Sequence, residues 1–261
     1  MLDALRKHWP EYLIEAFCLG VFMVSAGTFT VVFEYPGSPL HHAIANPDLR
    51  RALIGVAMGL TAVGLIYSPW GQQSGAHMNP AVTLTFFRLG KVRKWDAVFY
   101  IAAQFIGGLL GVVLTRAALG NRFADPAVNY VVTVPGAAGV ASAFACELFI
   151  SCLLMLMILF VSNTPKLARY TGLLAGTLVA LFITFEAPYS GMSINPARTV
   201  ASALPSGVWT AEWIYFVAPV GGMLLAVEIR RALIQGAHVA CAKLHHHGNQ
   251  RCIFCGFACE K

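Results

Sequence analysis

SGAHMNPAVTL (residues 74–84) and SGMSINPARTV (residues 190–200) decide the reading, because each places Asn-Pro-Ala inside a chain of long apolar runs. The copies are Asn79-Pro80-Ala81 and Asn195-Pro196-Ala197. Asparagine is a favoured N-cap, and proline suits the first helical position, where its missing N–H would have had no partner. Each copy therefore starts a helix, over residues 80–87 and 196–204. At ~1.5 Å per residue each apolar stretch crosses about half a bilayer. Two helix N-termini inside a membrane are costly unless they line a wet cavity. The pattern points to a pore.

Working outward, the composition supports a membrane protein. Of 261 residues, 57% are hydrophobic and 11% charged, with a mean hydropathy of +0.67. A soluble domain carries roughly 25% charged residues. The net charge of +6 raises the question of nucleic acid, but the basic residues form short clusters between apolar runs, and no nucleic-acid motif accompanies them. Six runs suit spanning helices, at 12–33, 52–68, 95–119, 141–161, 170–185 and 213–233. The first lacks a small-residue cleavage site and is longer than a signal-peptide core, so it reads as a retained span.

An even number of spans puts both termini on one side. If that side is the cytoplasm, Arg50, Arg51, Arg116, Arg122 and Arg198 are the 5 outside basic residues and the other 13 of the 18 lie inside. The positive-inside rule thus favours cytoplasmic termini in the cell membrane.

The halves echo each other. Glu15 opens the first span and Glu147 lies early in the fourth; Tyr100, Gln104 and Gly107 parallel Tyr215, Pro219 and Gly222. Each half has three spans, so the two enter the membrane in opposite senses, and such inverted repeats place a site near the midplane at their interface. The expected fold is an all-α membrane protein: six transmembrane helices and two re-entrant half-helices in an inverted 3+3 repeat. Its parts are an N-terminus at 1–11, a channel domain at 12–235 (repeats at about 12–119 and 140–235) and a Cys/His-rich tail at 236–261.

With these residues the chain resembles the major intrinsic protein family, the aquaporins and aquaglyceroporins, from about residue 12 to 233. The resemblance implies a homotetramer in the lipid bilayer with one pore per protomer. It also implies that Asn79 and Asn195 meet at the centre, and that Arg198 stands in a narrow outer filter. Alignment to the motifs adds Met58, Ile183 and Met192 to that filter. Water-selective members usually have histidine where Ile183 stands, and glycerol channels usually have filter aromatics and an aspartate where Thr199 stands. The chain departs from both patterns, while Tyr215-Phe216 before Pro219 leans toward the water channels. The expected function is a passive water channel that excludes protons and ions and admits small neutral solutes. The alternative is a glycerol facilitator.

Glu15 and Glu147 are intramembrane carboxylates, and such groups are functional candidates. Their matched positions favour support of the re-entrant loops over a proton relay. His77 belongs at the cytoplasmic mouth, where histidine titration offers a gate. Cys18, Cys146 and Cys152 sit in spans as core fillers, and the Gly55/Gly59, Gly107/Gly111 and Gly172/Gly176 spacings allow close helix packing. The spans offer no nucleophile–base set, which argues against an enzyme, and no nucleotide-binding motif accompanies them, which argues against active transport. Transport needs no cofactor. The tail, beyond the family resemblance, holds Cys241, Cys252, Cys255 and Cys259 with His245, His246 and His247. Cys252-x-x-Cys255 with Cys241 and His245 is a candidate four-ligand set for zinc, the alternatives being a disordered tail, reactive surface thiols or lipid attachment; the zinc reading brings a third class of function, a membrane-embedded metal sensor.

Overall fold

The computed structural model describes residues 1–234, 238–246 and 250–257, so His247 and Cys259 lie outside the described residues. Regular structure among them is entirely helical. The first half contains α1 (Leu2–Glu34), α2 (Pro47–Tyr67), α3 (Pro80–Arg88) and α4 (Lys94–Leu119); the second contains α5 (Gly139–Val161), α6 (Thr171–Phe185), α7 (Pro196–Ser206) and α8 (Ile214–Leu233). Helices α1, α2, α4, α5 and the segment Ala168–Phe185 that includes α6 are long and apolar enough to cross a membrane. The sixth, α8, has 20 residues but carries Glu228, Arg230 and Arg231 near its end. Those charges dilute its hydropathy, yet it stands in the second half where α4 stands in the first.

Two helices begin earlier than their apolar runs. α1 starts at Leu2 rather than residue 12, because its polar first turns stay helical beyond the apolar layer. There His8 and Tyr12 both reach Asp96 of α4, at 2.7 and 2.6 Å. α2 starts at Pro47, with the Asn46 side chain accepting from the Asp48 and Leu49 amides at 2.9 and 3.2 Å. Hydropathy marks where a helix enters lipid, and capping marks where it begins.

Small residues set the packing. α1 lies along α4, α5 along α8, and α2 along α6 across the two halves. A Cβ on Gly107 would fall 2.0 Å from the Ala16 carbonyl oxygen, and one on Gly222 would fall 2.2 Å from that of Leu148. At the α2–α6 crossing, a Cβ on Gly59 would lie 2.5 Å from the Gly176 carbonyl oxygen. Without a hydrophobic driving force between helices in lipid, such close backbone approach supplies the attraction. The half-helices pack crosswise, α3 on α8 and α7 on α4, and the two touch one another. That crossing ties the repeats together at the centre.

Candidate functional site

Each half-helix is entered by the same strained turn. A short helix, Pro69–Ser74 or Ala187–Ser190, ends at a left-handed glycine, Gly75 (φ 98°) or Gly191 (φ 80°). Ala76 and Met78 follow with φ of 55° and 49°, and Met192 and Ile194 match them at 51° and 50°. Non-glycine residues there cost on the order of 1–3 kcal/mol each, most of all a β-branched one such as Ile194. The turns persist because their amides are held. Ser74 Oγ accepts from the Ala76 amide at 3.2 Å, and Ser190 Oγ from that of Met192 at 3.0 Å.

The two buried glutamates supply the remaining acceptors. Glu15 Oε1 accepts from Ser74 Oγ (2.8 Å) and the His77 amide (3.0 Å), and Oε2 from the Met78 amide (2.6 Å). Glu147 Oε1 accepts from Ser190 Oγ (2.7 Å) and the Ser193 amide (2.6 Å), and Oε2 from the Ile194 amide (2.7 Å). Tyr100 and Tyr215 donate to the carbonyls of Ser74 and Ser190 at 2.8 and 2.6 Å. One difference stands out: Gln104 also donates to Glu15 Oε2 at 2.8 Å, whereas its counterpart Pro219 has no donor to give.

Both asparagine side chains use their oxygen and their nitrogen. Asn79 Oδ1 accepts from the Ala81 amide at 2.8 Å, capping α3, and Asn195 Oδ1 accepts from those of Ala197 and Arg198 at 3.0 and 3.2 Å, capping α7. Across the centre, Asn79 Nδ2 donates to the Ile194 carbonyl and Asn195 Nδ2 to the Met78 carbonyl, both at 2.7 Å. An amide nitrogen carries two hydrogens. One is used in this reciprocal lash, and the second is left for the cavity that both side chains line.

That cavity, about 460 Å³, runs past both motifs, with Met58, Ile183, Met192 and Arg198 in its wall at one end and His77 and Leu244 at the other. Thr30, Glu34, Arg51 and Ser193 also line it, and the rest of its wall is largely aliphatic. Arg198 Nη1 finds no protein hydrogen-bond partner among the described residues. Glu212, in the loop before α8, faces the same guanidinium electrostatically; burial pushes its carboxyl up to about 7 while Arg198 pulls it down.

At the other end His77 is sealed rather than exposed. Its ring is stacked between Phe86 and Phe254, with centroids at 5.2 and 5.5 Å, and its nitrogens meet Thr83 Oγ1 (3.1 Å) and the Ala242 carbonyl (2.8 Å). A freely titrating mouth histidine does not fit those surroundings. Phe254 and Ala242 belong to the tail, whose packing here carried no sequence signal. Within the tail, donor atoms of Cys241, His246, Cys252 and Cys255 all lie within 4.8 Å of one another. The histidine in this cluster is His246, not the expected His245: the His245 ring packs on Tyr67 at 4.8 Å, while His246 Nε2 sits 3.2 Å from Cys255 Sγ. Adjacent histidines in irregular chain diverge, and spacing alone does not choose between them. The Cys241 hydrogen bond, and after it His246, hold the Cys252 thiol below the usual range against its burial. Cys252 and then Cys255 push the His246 imidazole up to about 9. The thiolate is the metal-binding form of cysteine.

Six long helices around two half-helices that meet at their N-termini, with an aliphatic cavity along the junction, define a membrane channel. The family model for the major intrinsic proteins matches residues 6–229, and the chain belongs to that family. Aquaporin A of Dictyostelium discoideum is 31% identical over 223 residues, covering 83% of this chain and 78% of the relative. Aquaporin NIP2-3 of Zea mays is 35% identical over 198 residues, 76% of this chain and 64% of the relative. Aquaporin Z of Photorhabdus laumondii is 31% identical over 218 residues, 79% and 94% respectively. Among solved structures, the aquaglyceroporin from Plasmodium falciparum superposes with a TM-score of 0.73 at 20% identity, covering 88% of this chain and 98% of that one. That likeness speaks for the fold. The family's members are channels that pass water and small solutes across membranes, not enzymes.

Proposed function

We propose that the protein is a water channel of the cell membrane, tetrameric, with both termini in the cytoplasm, and that it also passes small neutral solutes. The reciprocal Asn79–Asn195 lash carries this reading. Each half-helix puts roughly +0.5 charge at its N-terminus. A water at the junction therefore turns its oxygen toward the asparagine N–H groups and its hydrogens away. Held in that orientation, it breaks a proton wire, and the same field repels cations.

Selectivity falls to Met58, Ile183, Met192 and Arg198. Arg198 lines the cavity and brings a second cationic barrier to it. The thioethers and the isoleucine offer neither a histidine donor nor a rigid aromatic wall, and methionine adapts its shape. Such a ring suits water and tolerates a slim polyol or urea. Glu15 and Glu147 act as loop supports, since each carboxylate spends its lone pairs on loop donors.

Stopped-flow swelling of proteoliposomes in water and glycerol gradients tests the assignment. The expected result is water permeability well above empty vesicles and a smaller glycerol permeability. Glycerol flux without a gain in water flux would replace this reading with the glycerol facilitator. No gain for either, with and without a metal chelator, would remove the channel assignment.

A further inference from the structure

The described tail is seated in the bundle rather than hung from it. Val239, Ala242, Leu244 and Cys252 are buried, and the first three join the main hydrophobic core. The Leu244 amide donates to the Gly75 carbonyl at 3.1 Å, beside the Ala242 and Phe254 contacts with His77. Arg251 pairs with Glu11 of α1 at 2.7 Å. Leu244 itself lines the cavity that reaches Asn79. This irregular segment, with neither long helix nor strand of its own, thus sits across one mouth of the pore.

Its own cross-link is the thiol cluster. Cys241 Sγ and Cys252 Sγ are 3.4 Å apart, and His246 Nε2 is 3.2 Å from Cys255 Sγ. Four ligands at about 2.0–2.3 Å from a common tetrahedral centre stand roughly 3.3–3.8 Å from each other. Those two pairs match that spacing and all four donors lie within 4.8 Å of one another, and three sulfurs with one imidazole suit a zinc-class ion over magnesium or calcium. We propose that Cys241, His246, Cys252 and Cys255 bind one zinc-class divalent ion, and that the knuckle so formed closes the cytoplasmic mouth of the pore. The gating half rests on the channel reading above.

The coupling is one of linkage. Binding the metal displaces thiol protons to solvent and requires the four donors to be gathered. The gathered arrangement is the one that seats Leu244 in the cavity and Phe254 on His77. A ligand that binds only that arrangement shifts the population toward it. Removing the metal lets the segment leave, and the mouth opens.

The test uses the full chain, purified without a polyhistidine tag, in proteoliposomes. Metal is counted by mass spectrometry, and water flux is measured after chelation and after adding zinc chloride alone. The expected result is one zinc per protomer, and water permeability that rises about fivefold or more on chelation and falls again with zinc. C252S/C255S should lack metal and stay open. A second variant, L244S/F254A, keeps all four ligands and should hold zinc yet stay open with or without it. No stoichiometric metal in the parent chain, or a Cys241–Cys252 disulfide in its place, overturns the site. Bound zinc with flux unchanged by chelation overturns the gate. Silence of every form to both water and glycerol removes the channel reading and the gate together, while the zinc count still judges the site.

Discussion

The loop leading into Asn79 and the loop leading into Asn195 share almost every hydrogen bond and differ in what they face. Both are anchored by a serine, a glutamate and a tyrosine in equivalent places. The first lies beneath the tail, with His77 capped by Phe254. The second carries Arg198 toward an open end of the cavity, with Glu212 nearby. The repeat is thus conserved where it builds the backbone of the pore and divergent at the two mouths. The centre is symmetric architecture, while Arg198 at one mouth and the tail at the other are local additions to it.

The largest effects should come from disturbing the shared anchor, and they should expose its one asymmetry. In E147Q an amide N–H replaces one acceptor and confronts a loop donor, which is expected to cost about 2–4 kcal/mol. E15Q makes the same error, but Gln104 can turn its amide and present Oε1, which has no partner of its own. We expect E15Q to be milder by about 1 kcal/mol, measured by denaturant unfolding in micelles. Equal losses would mean that Gln104 offers no such relief.

A smaller change should follow from Arg198. R198V removes the filter cation and leaves Arg51 and both half-helix termini in place, so proton and cation leak in vesicles should rise roughly tenfold, about 1.4 kcal/mol of barrier. Water flux should hold or increase. Tight exclusion in R198V would take the barrier away from Arg198 and leave it with the asparagine junction and Arg51.

The smallest effect concerns Glu212. Its carboxyl, raised to about 7 by burial, is neutral below that pH and anionic above it. Lowering pH from 8 to 6 removes a negative charge facing Arg198, so cation leak should fall, by less than about twofold. E212Q should hold the low-leak value throughout. A pH response that persists in E212Q would point to another group.

What was legible in the sequence follows from how local each signal is. The capped prolines of the motifs, the matched Glu15 and Glu147, and the apolar runs are short-range patterns, and the half-helices begin at the prolines they announce. The polar start of α1 looks like a separate terminus in the sequence because hydropathy does not register helix outside lipid. The lash between Asn79 and the Ile194 carbonyl is invisible in sequence, since any residue there offers the same oxygen. The tail's seat on His77 was equally hidden. It depends on Leu244 and Phe254 reaching a surface that exists only after both halves have assembled. The choice of His246 over its neighbour turned on the direction of one irregular segment.

The reciprocal lash has a consequence for biosynthesis. The Met78 carbonyl, placed early in the chain, waits for a donor that is made 117 residues later. Until the ribosome has delivered Asn195, the first loop lacks one of its ties and the membrane holds a half-built wall. The finished lumen is a joint product of both halves, and no nascent chain that stops short of the second motif contains a miniature of it.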